Sequence, residues 1–353
     1  MPDTAPTPPL ALGVLGLGRW GQRLAAAFAR TDNSRILWHC DPDPARLAAA
    51  ELPAGARRTP RHEDVLADPA VQAVVIATPP ATHAPLALAA LAAGKHVFVE
   101  KPMTTSLASA EQLVAAVEKT GLTLMVGHIL TFHPGHIELR RLVHEGAIGR
   151  VHTVVCQRWS PRFGRAADDA WWSLAVHDLS VLGQLLAGEP ESVEVSGERA
   201  PGSTCYGRVR GELLYAGGVR AHLEASTVDE VKVRRILVAG ERGTLVSDEQ
   251  DAERGVALYD APRAPIDCGV APAFDVLDDA CLRDRHVPPQ AEPLALELRH
   301  FVDALLAGTA PRCSAREGLH AIRALERGTR SLRSPTRPDP EPAPRIAAVQ
   351  PVH

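Results

Sequence analysis

Between Leu10 and Val126, short apolar runs of strand length alternate with alanine- and leucine-rich stretches of helical length, and no other feature narrows the possible folds as far. The apolar runs are Leu10 to Leu15, Arg35 to Cys40, Ala73 to Ala77, His96 to Val99 and Leu122 to Val126. Helical composition follows the first run from Gln22 and recurs at Pro85 to Ala93 and Leu107 to Lys119. Ala73 to Ala77 is apolar at every position, as a strand covered on both faces must be, and Thr78-Pro79-Pro80 stops it. Pro42 and Pro44 end the second run in the same way, while Gly94 and Gly121 terminate helices. Such alternation predicts an α/β domain with a doubly wound parallel sheet over residues 10–127.

Beyond that point the rhythm changes. One helix is predicted from Ala170 to Leu186, followed by strand-like runs at Ser192 to Ser196, Gly207 to Leu214, Val219 to Leu223 and Arg235 to Val238 without helices between them. Two late helices, Pro293 to Leu306 and Arg316 to Leu332, complete an α+β domain over residues 128–332 with a largely antiparallel open sheet. At 353 residues the chain is long enough for two cores. Residues 1–9 are expected to be flexible, and 333–353, rich in proline, to form a mobile tail.

Charge and cysteine usage exclude several classes of function. The 38 basic and 42 acidic residues are interspersed, with no basic block to track a phosphate backbone, so nucleic acid is not an expected partner. No apolar stretch reaches a membrane-spanning length and the N-terminus lacks a charged leader, so no membrane partner is expected and the cytoplasm is the expected compartment. The six cysteines contain no C-x-x-C pair, which argues for ordinary thiols and against a metal site.

Gly16-Leu17-Gly18-Arg19-Trp20-Gly21 sits between the first strand and the first helix. In such a turn the first glycine permits the bend, the second lets backbone approach a pyrophosphate and the third lets helix and strand pack. Asp41 lies 20 residues after Gly21 at the end of the second strand, where a carboxylate accepts hydrogen bonds from ribose hydroxyls and repels a 2′-phosphate. This Rossmann pattern predicts NAD rather than NADP; the alternative for Asp41 is that it merely caps the next helix. Glu100-Lys101-Pro102 follows the strand His96 to Val99, so Lys101 stands where parallel sheets bind ligands. Its ammonium could stabilise a developing alkoxide; the alternative, usual for a single lysine, is a solvated surface charge.

The glycine loop, Ala77-Thr78-Pro79-Pro80-Ala81-Thr82-His83, Glu100-Lys101-Pro102 and Trp172-Ser173-Leu174-Ala175-Val176-His177-Asp178 occur in a familiar order. From about residue 10 to residue 332 the chain resembles the Gfo/Idh/MocA family of sugar and inositol dehydrogenases. The resemblance implies that Gly16, Gly18, Arg19, Trp20, Gly21, Asp41, Thr78, Pro79, His83, Glu100 and Lys101 serve the cofactor. It implies further that Lys101 also meets the substrate, that His177 transfers the proton, and that the open sheet forms a homodimer or homotetramer interface. Imidazole suits proton transfer near neutrality.

Many members carry an aspartate one helical turn before this histidine, where this chain has Ser173; a raised imidazole pKa would have to come from another acid, with Asp178 and Asp169 as candidates. The Trp-Ser-Leu-Ala-x-His-Asp version is associated with enzymes oxidising the 3-hydroxyl of nucleotide sugars, in aminosugar or secondary-metabolite biosynthesis. Arg158, Arg162 and Arg165, read as a loop after the strand Val151 to Gln157, are candidates for a substrate diphosphate. His128, Trp172, Ser173 and Asp178 are the other candidate substrate contacts, with Gly127-His128 and His133-Pro134 resembling positions that line the site. The expected activity is NAD-dependent interconversion of a sugar alcohol and ketone. A free-sugar or inositol dehydrogenase, an NAD-recycling glycosidase and an inactive NAD-binding regulator are the alternatives.

Overall fold

The computed structural model describes residues 8–51, 53–161, 169–200, 202–251, 255–260 and 279–332. Arg162 and Arg165, residues 1–7 of the N-terminal segment and the proline-rich tail 333–353 lie outside the described residues.

The first sheet is parallel throughout. Its strands are β1 (Leu10–Leu15), β2 (Ser34–Cys40), β3 (Arg57–Thr59), β4 (Ala73–Ile76), β5 (His96–Glu100) and β6 (Leu124–Gly127), in the order β3-β2-β1-β4-β5-β6. All residues of β1 and β4 are buried, which is why these two strands are apolar without alternation. Helices α1 (Arg19–Phe28), α2 (Pro44–Ala49), α3 (His62–Ala67), α4 (His83–Ala92) and α5 (Leu107–Thr120) make the crossovers. Ser106 caps α5 by accepting the Ser109 amide, and Gly121 closes it at a positive φ of 68°. The short β3 and α3 were not legible in the sequence.

After α6 (Pro134–His144), also missed by periodicity, the chain builds a second sheet of eight strands. These are β7 (Val151–Trp159), β8 (Ser192–Arg199), β9 (Tyr206–Tyr215), β10 (Val219–Ser226), β11 (Val233–Gly240), β12 (Gly243–Asp248), β13 (Val256–Asp260) and β14 (Leu282–His286). They run in the order β14-β13-β12-β11-β7-β10-β9-β8, antiparallel except that β7 and β10 pair in parallel. Burial alternates along β9, so one face is covered and the other is solvated. Ion pairs cross the solvated face, among them Arg210 with Glu224 at 3.3 Å and Arg235 with Asp248 at 2.7 Å.

Three helices tie the sheets together. The predicted Ala170–Leu186 helix begins as a wider π-helical turn, Trp171–Ala175, before α7 (Val176–Leu185). Helix α8 (Pro293–Ala307) returns to the first sheet, where Phe301 meets Phe28 and Phe98 edge-on at 6.2 and 5.5 Å between ring centres. Each such full burial contributes on the order of 2–3 kcal/mol. Helix α9 (Ala315–Leu332) packs against both α5 and β8. Among the described residues no helix is long and apolar enough to cross a membrane, and Cys40, Cys156, Cys205, Cys281 and Cys313 are free thiols.

Candidate active site

The glycine loop lies at the point where the strand order of the first sheet reverses, between β1 and β4, as open parallel sheets require of a ligand crevice. Gly16 has φ +94°, and a Cβ there would stand 2.7 Å from the Ala77 carbonyl oxygen; one at Gly21 would stand 1.9 Å from that of Gly16. A Cβ at Gly18 would meet nothing within 4 Å, and no side chain caps the N-terminus of α1 beside it. An open backbone cradle at a positive helix end fits the pyrophosphate of a dinucleotide. Arg19 is exposed at the first position of the helix.

Asp41 is buried, and its carboxylate accepts the amides of Leu17 at 2.7 Å and Asp43 at 2.9 Å. It therefore pins the glycine loop to the end of β2. It does not cap α2: that is done by Asp43, which accepts the Ala45 amide at 2.9 Å. Arg46 stands 3.8 Å from Asp41, on the solvent side.

His83 is enclosed between two loops, with Nδ1 2.9 Å from the Pro102 carbonyl and Nε2 2.8 Å from that of Thr78. It braces the end of β4 against the Lys101–Pro102 segment, and burial holds its pKa below the ordinary histidine value. Thr78 accepts the Thr82 hydroxyl at 2.7 Å, and Pro79 is exposed. Trp20 donates its indole N–H to Glu100 at 2.5 Å, while the other Glu100 oxygen accepts the Lys101 amide at 3.2 Å. One buried carboxylate thus joins the glycine loop to the segment carrying Lys101.

Beneath Glu100 lies a group with no sequence signal. Glu297, on α8, is fully buried and neither of its carboxyl oxygens has a hydrogen-bond partner. Burial, and then the neighbouring Glu100, push its pKa well above the carboxylate range, and burial pushes Glu100 up to about 7. A carboxyl raised in the fold keeps a proton that the unfolded chain has lost, so stability falls as pH rises from the usual carboxylate range towards the folded value. Glu297→Gln should therefore raise unfolding stability at pH 8 by about 1–3 kcal/mol and leave it nearly unchanged at pH 4. Urea midpoints at the two pH values check this; a loss at pH 8 would contradict it.

Lys101 donates its ammonium to the Ser173 carbonyl at 3.2 Å, across the two domains. Ser173 is held there by the π-helical turn, which two indoles clamp to α9. Trp171 donates to the Leu325 carbonyl at 2.8 Å and packs where a Cβ on Gly328 would come within 2.4 Å of its ring; Trp172 donates to the Thr329 hydroxyl at 2.9 Å. Ser173 Oγ and His177 Nδ1 are shut off from solvent without a partner, as are both ring nitrogens of the buried His128. Polar atoms left unpaired indoors are costly, and their clustering around Lys101 marks a place built for a ligand. Burial, then the charges of Lys101 and Arg158, hold His177 neutral well below its ordinary pKa; burial and Lys101 push His128 down to about 3.

The structure corrects the reading of Arg158. It lies on β7 rather than in a loop, is 3% exposed, and spends its guanidinium on Asp178 at 2.8–3.1 Å and Glu249 at 2.7 Å. Buried and paired with two carboxylates, it is not presented to a diphosphate. Asp178 is corrected with it: its carboxylate faces Arg158, not a substrate, and so does not offset the cations around His177. Asp169 spends one carboxylate oxygen on the amides of Trp171 and Trp172, starting the π-helical turn.

Lys101, Trp172 and Ser173 line a cleft of about 890 Å³ whose other walls are Pro80, Thr105, Asp169 and, from α9, Glu326, Thr329 and Arg330. The α9 wall was not foreseen, because its residues lie some 150 positions or more beyond Trp172 and read as a solvated helix face. Among the described residues no group of three or more His, Cys, Asp or Glu is placed to hold a metal.

Comparison with known proteins agrees with this architecture. Residues 10–128 match the oxidoreductase family, NAD-binding Rossmann fold model of Gfo/Idh/MocA, and residues 136–246 match the Gfo/Idh/MocA C-terminal domain. The chain is 29% identical to an inositol 2-dehydrogenase of Pseudomonas fluorescens over 90% of its own length and 92% of the relative's. It is 31% identical to an uncharacterised oxidoreductase of Streptococcus pneumoniae, but this match spans only 52% of each chain. The structure of a UDP-N-acetylglucosamine 3-dehydrogenase from Acidithiobacillus ferrooxidans superposes with a TM-score of 0.78 at 25% identity, covering 92% of this chain and 98% of that one. With a dinucleotide cradle, an Lys101–Ser173 contact across the domains and both family domains in sequence, the chain is an oxidoreductase and belongs to the Gfo/Idh/MocA family.

Proposed function

We propose that the protein interconverts a secondary alcohol and a ketone on a sugar with NAD, acting at the 3-position of a nucleotide sugar such as a UDP-hexose. The observation that carries this reading is the meeting of Lys101 with Ser173, one helical turn before His177, at the wall of a cleft sized for a small ligand. NAD supplies the hydride acceptor when bound in the glycine cradle. Lys101 donates a hydrogen bond to the reacting oxygen and stabilises the alkoxide; His177, held neutral, accepts the hydroxyl proton. The buried Asp41 supports NAD over NADP, since it places a carboxylate beside the cradle. The nucleotide-sugar reading is supported by likeness to UDP-N-acetylglucosamine 3-dehydrogenase and by the Trp172-to-Asp178 motif. The reading also takes the enzyme to be a cytoplasmic homodimer or homotetramer assembled through the open second sheet.

An inositol substrate is the second reading, favoured by the 29% identity to inositol 2-dehydrogenase over nearly the whole chain. Mass spectrometry of nucleotide sugars, free sugars and inositols incubated with NAD decides between them. Loss of two hydrogens from a nucleotide sugar is expected; products from inositols alone would overturn the proposal.

Ser173 gives this site a distinct pH behaviour. Placing a carboxylate one turn before His177 adds a negative charge that favours the imidazolium, so Ser173→Asp should raise the His177 pKa. Since alcohol oxidation needs the neutral imidazole, the acid limb of kcat/KM should move to higher pH by about 1–3 units. An unmoved acid limb in the pH–rate profile would show that His177 does not take the proton.

A further inference from the structure

A nucleotide sugar brings a diphosphate, and its negative charge needs a cation that the reaction itself does not use. Arg158 cannot serve, because Asp178 and Glu249 occupy its guanidinium inside the protein. Among the described residues lining the cleft there are two cations, Lys101 and Arg330. Lys101 stands at the reacting end.

Arg330 sits near the end of α9 and is exposed, with its side chain 74% accessible. Its ionic partner is Glu326, one turn back, at 3.2 Å. Glu326 is itself anchored, because its other oxygen accepts the Leu107 amide at 2.7 Å and so starts α5. A pair of this kind, between an anchored carboxylate and a solvated arginine, is easily exchanged for a stronger anion. A guanidinium fork matches phosphate oxygens two at a time.

The connection between the two cations is short and rigid. Lys101 touches the Ser173 carbonyl; the adjoining Trp172 is bonded through its indole N–H to Thr329; and Thr329 adjoins Arg330. An indole therefore separates the reacting end of the cleft from its cationic rim. We infer that Arg330 is a specificity-determining residue that binds the diphosphate of a nucleoside-diphosphate sugar while Lys101 engages the sugar ring; the inference rests on the nucleotide-sugar reading above. Glu326 pairs with the guanidinium until the diphosphate replaces it.

Steady-state kinetics with UDP-N-acetylglucosamine and with unphosphorylated N-acetylglucosamine, and inhibition by uridine diphosphate, test this on wild type, Arg330→Glu and Arg330→Lys. Arg330→Glu should lower kcat/KM for the nucleotide sugar by about 30-fold or more, through KM, and raise the uridine diphosphate inhibition constant by a similar factor. The KM for NAD, kcat and the activity on the unphosphorylated sugar should stay within about twofold, and Arg330→Lys should retain part of the affinity. If the wild type turns over nucleotide sugars and Arg330→Glu leaves kcat/KM and inhibition unchanged, this inference fails and the nucleotide-sugar reading stands. An equal loss on both sugars would assign Arg330 a packing role and overturn the inference. If the wild type oxidises no nucleotide sugar and ignores uridine diphosphate, the underlying reading fails.

Discussion

Lys101→Ala should lower kcat by about a thousandfold or more while leaving NAD affinity within a few fold and the fold intact. Lys101 meets the Ser173 carbonyl from the end of β5, with Ser173 Oγ, His177 Nδ1 and His128 left unpaired around it. The contact with the Ser173 carbonyl places the ammonium at the cleft wall, where it can act on an oxyanion. In the proposed site NAD affinity rests chiefly on other groups: the open Gly18 backbone, the helix N-terminus and Asp41. Single-turnover rates and NAD titration separate the two quantities. A variant that kept wild-type kcat would remove Lys101 from the mechanism.

Arg158→Ala should be among the most destabilising single changes in the chain, costing about 3–5 kcal/mol. Arg158 is the shared partner of Asp178 on α7 and Glu249 just after β12, both buried, and it holds Glu249 down to about 2 against a large burial penalty. Its removal leaves two carboxylates indoors, with His136 at 3.6 Å and Arg234 at 3.7 Å near Glu249. Replacing Arg158, Asp178 and Glu249 together by apolar residues should recover much of the loss, because the penalty comes from unpaired charge. Urea unfolding measures both. A loss under about 1 kcal/mol for the single change would mean that water reaches the cluster.

The same arginine shows where sequence reading ends. A charged residue two positions after an apolar run reads as the start of a loop, and only partners 20 and 91 residues away reveal it as buried. Glu297 is a similar case, since a glutamate in an amphipathic helix reads as solvent-facing until α8 is seen lying on the first sheet. By contrast, the cofactor half was legible because its signals are local: an all-apolar strand, glycines at fixed offsets, a strand-end aspartate. The edge strand β14, Leu-Arg-Asp-Arg-His, and the three-residue β3 carry too little apolar pattern to be read as strands. Ser173 was visible as a departure, but not that a π-helical turn would present its backbone carbonyl to Lys101 in place of a carboxylate.

In the proposed reaction a sugar carbinol carbon gives up hydride at the Lys101–His177 centre. The direct test is transfer of label from UDP-N-acetylglucosamine carrying deuterium at C3, with stoichiometric NAD. One deuterium in each molecule of reduced cofactor and a ketone at C3 of the sugar are expected. Deuterium retained in the sugar, or returned to it with no net reduced cofactor, would exclude this reaction; the latter would assign the site to a cofactor-recycling reaction.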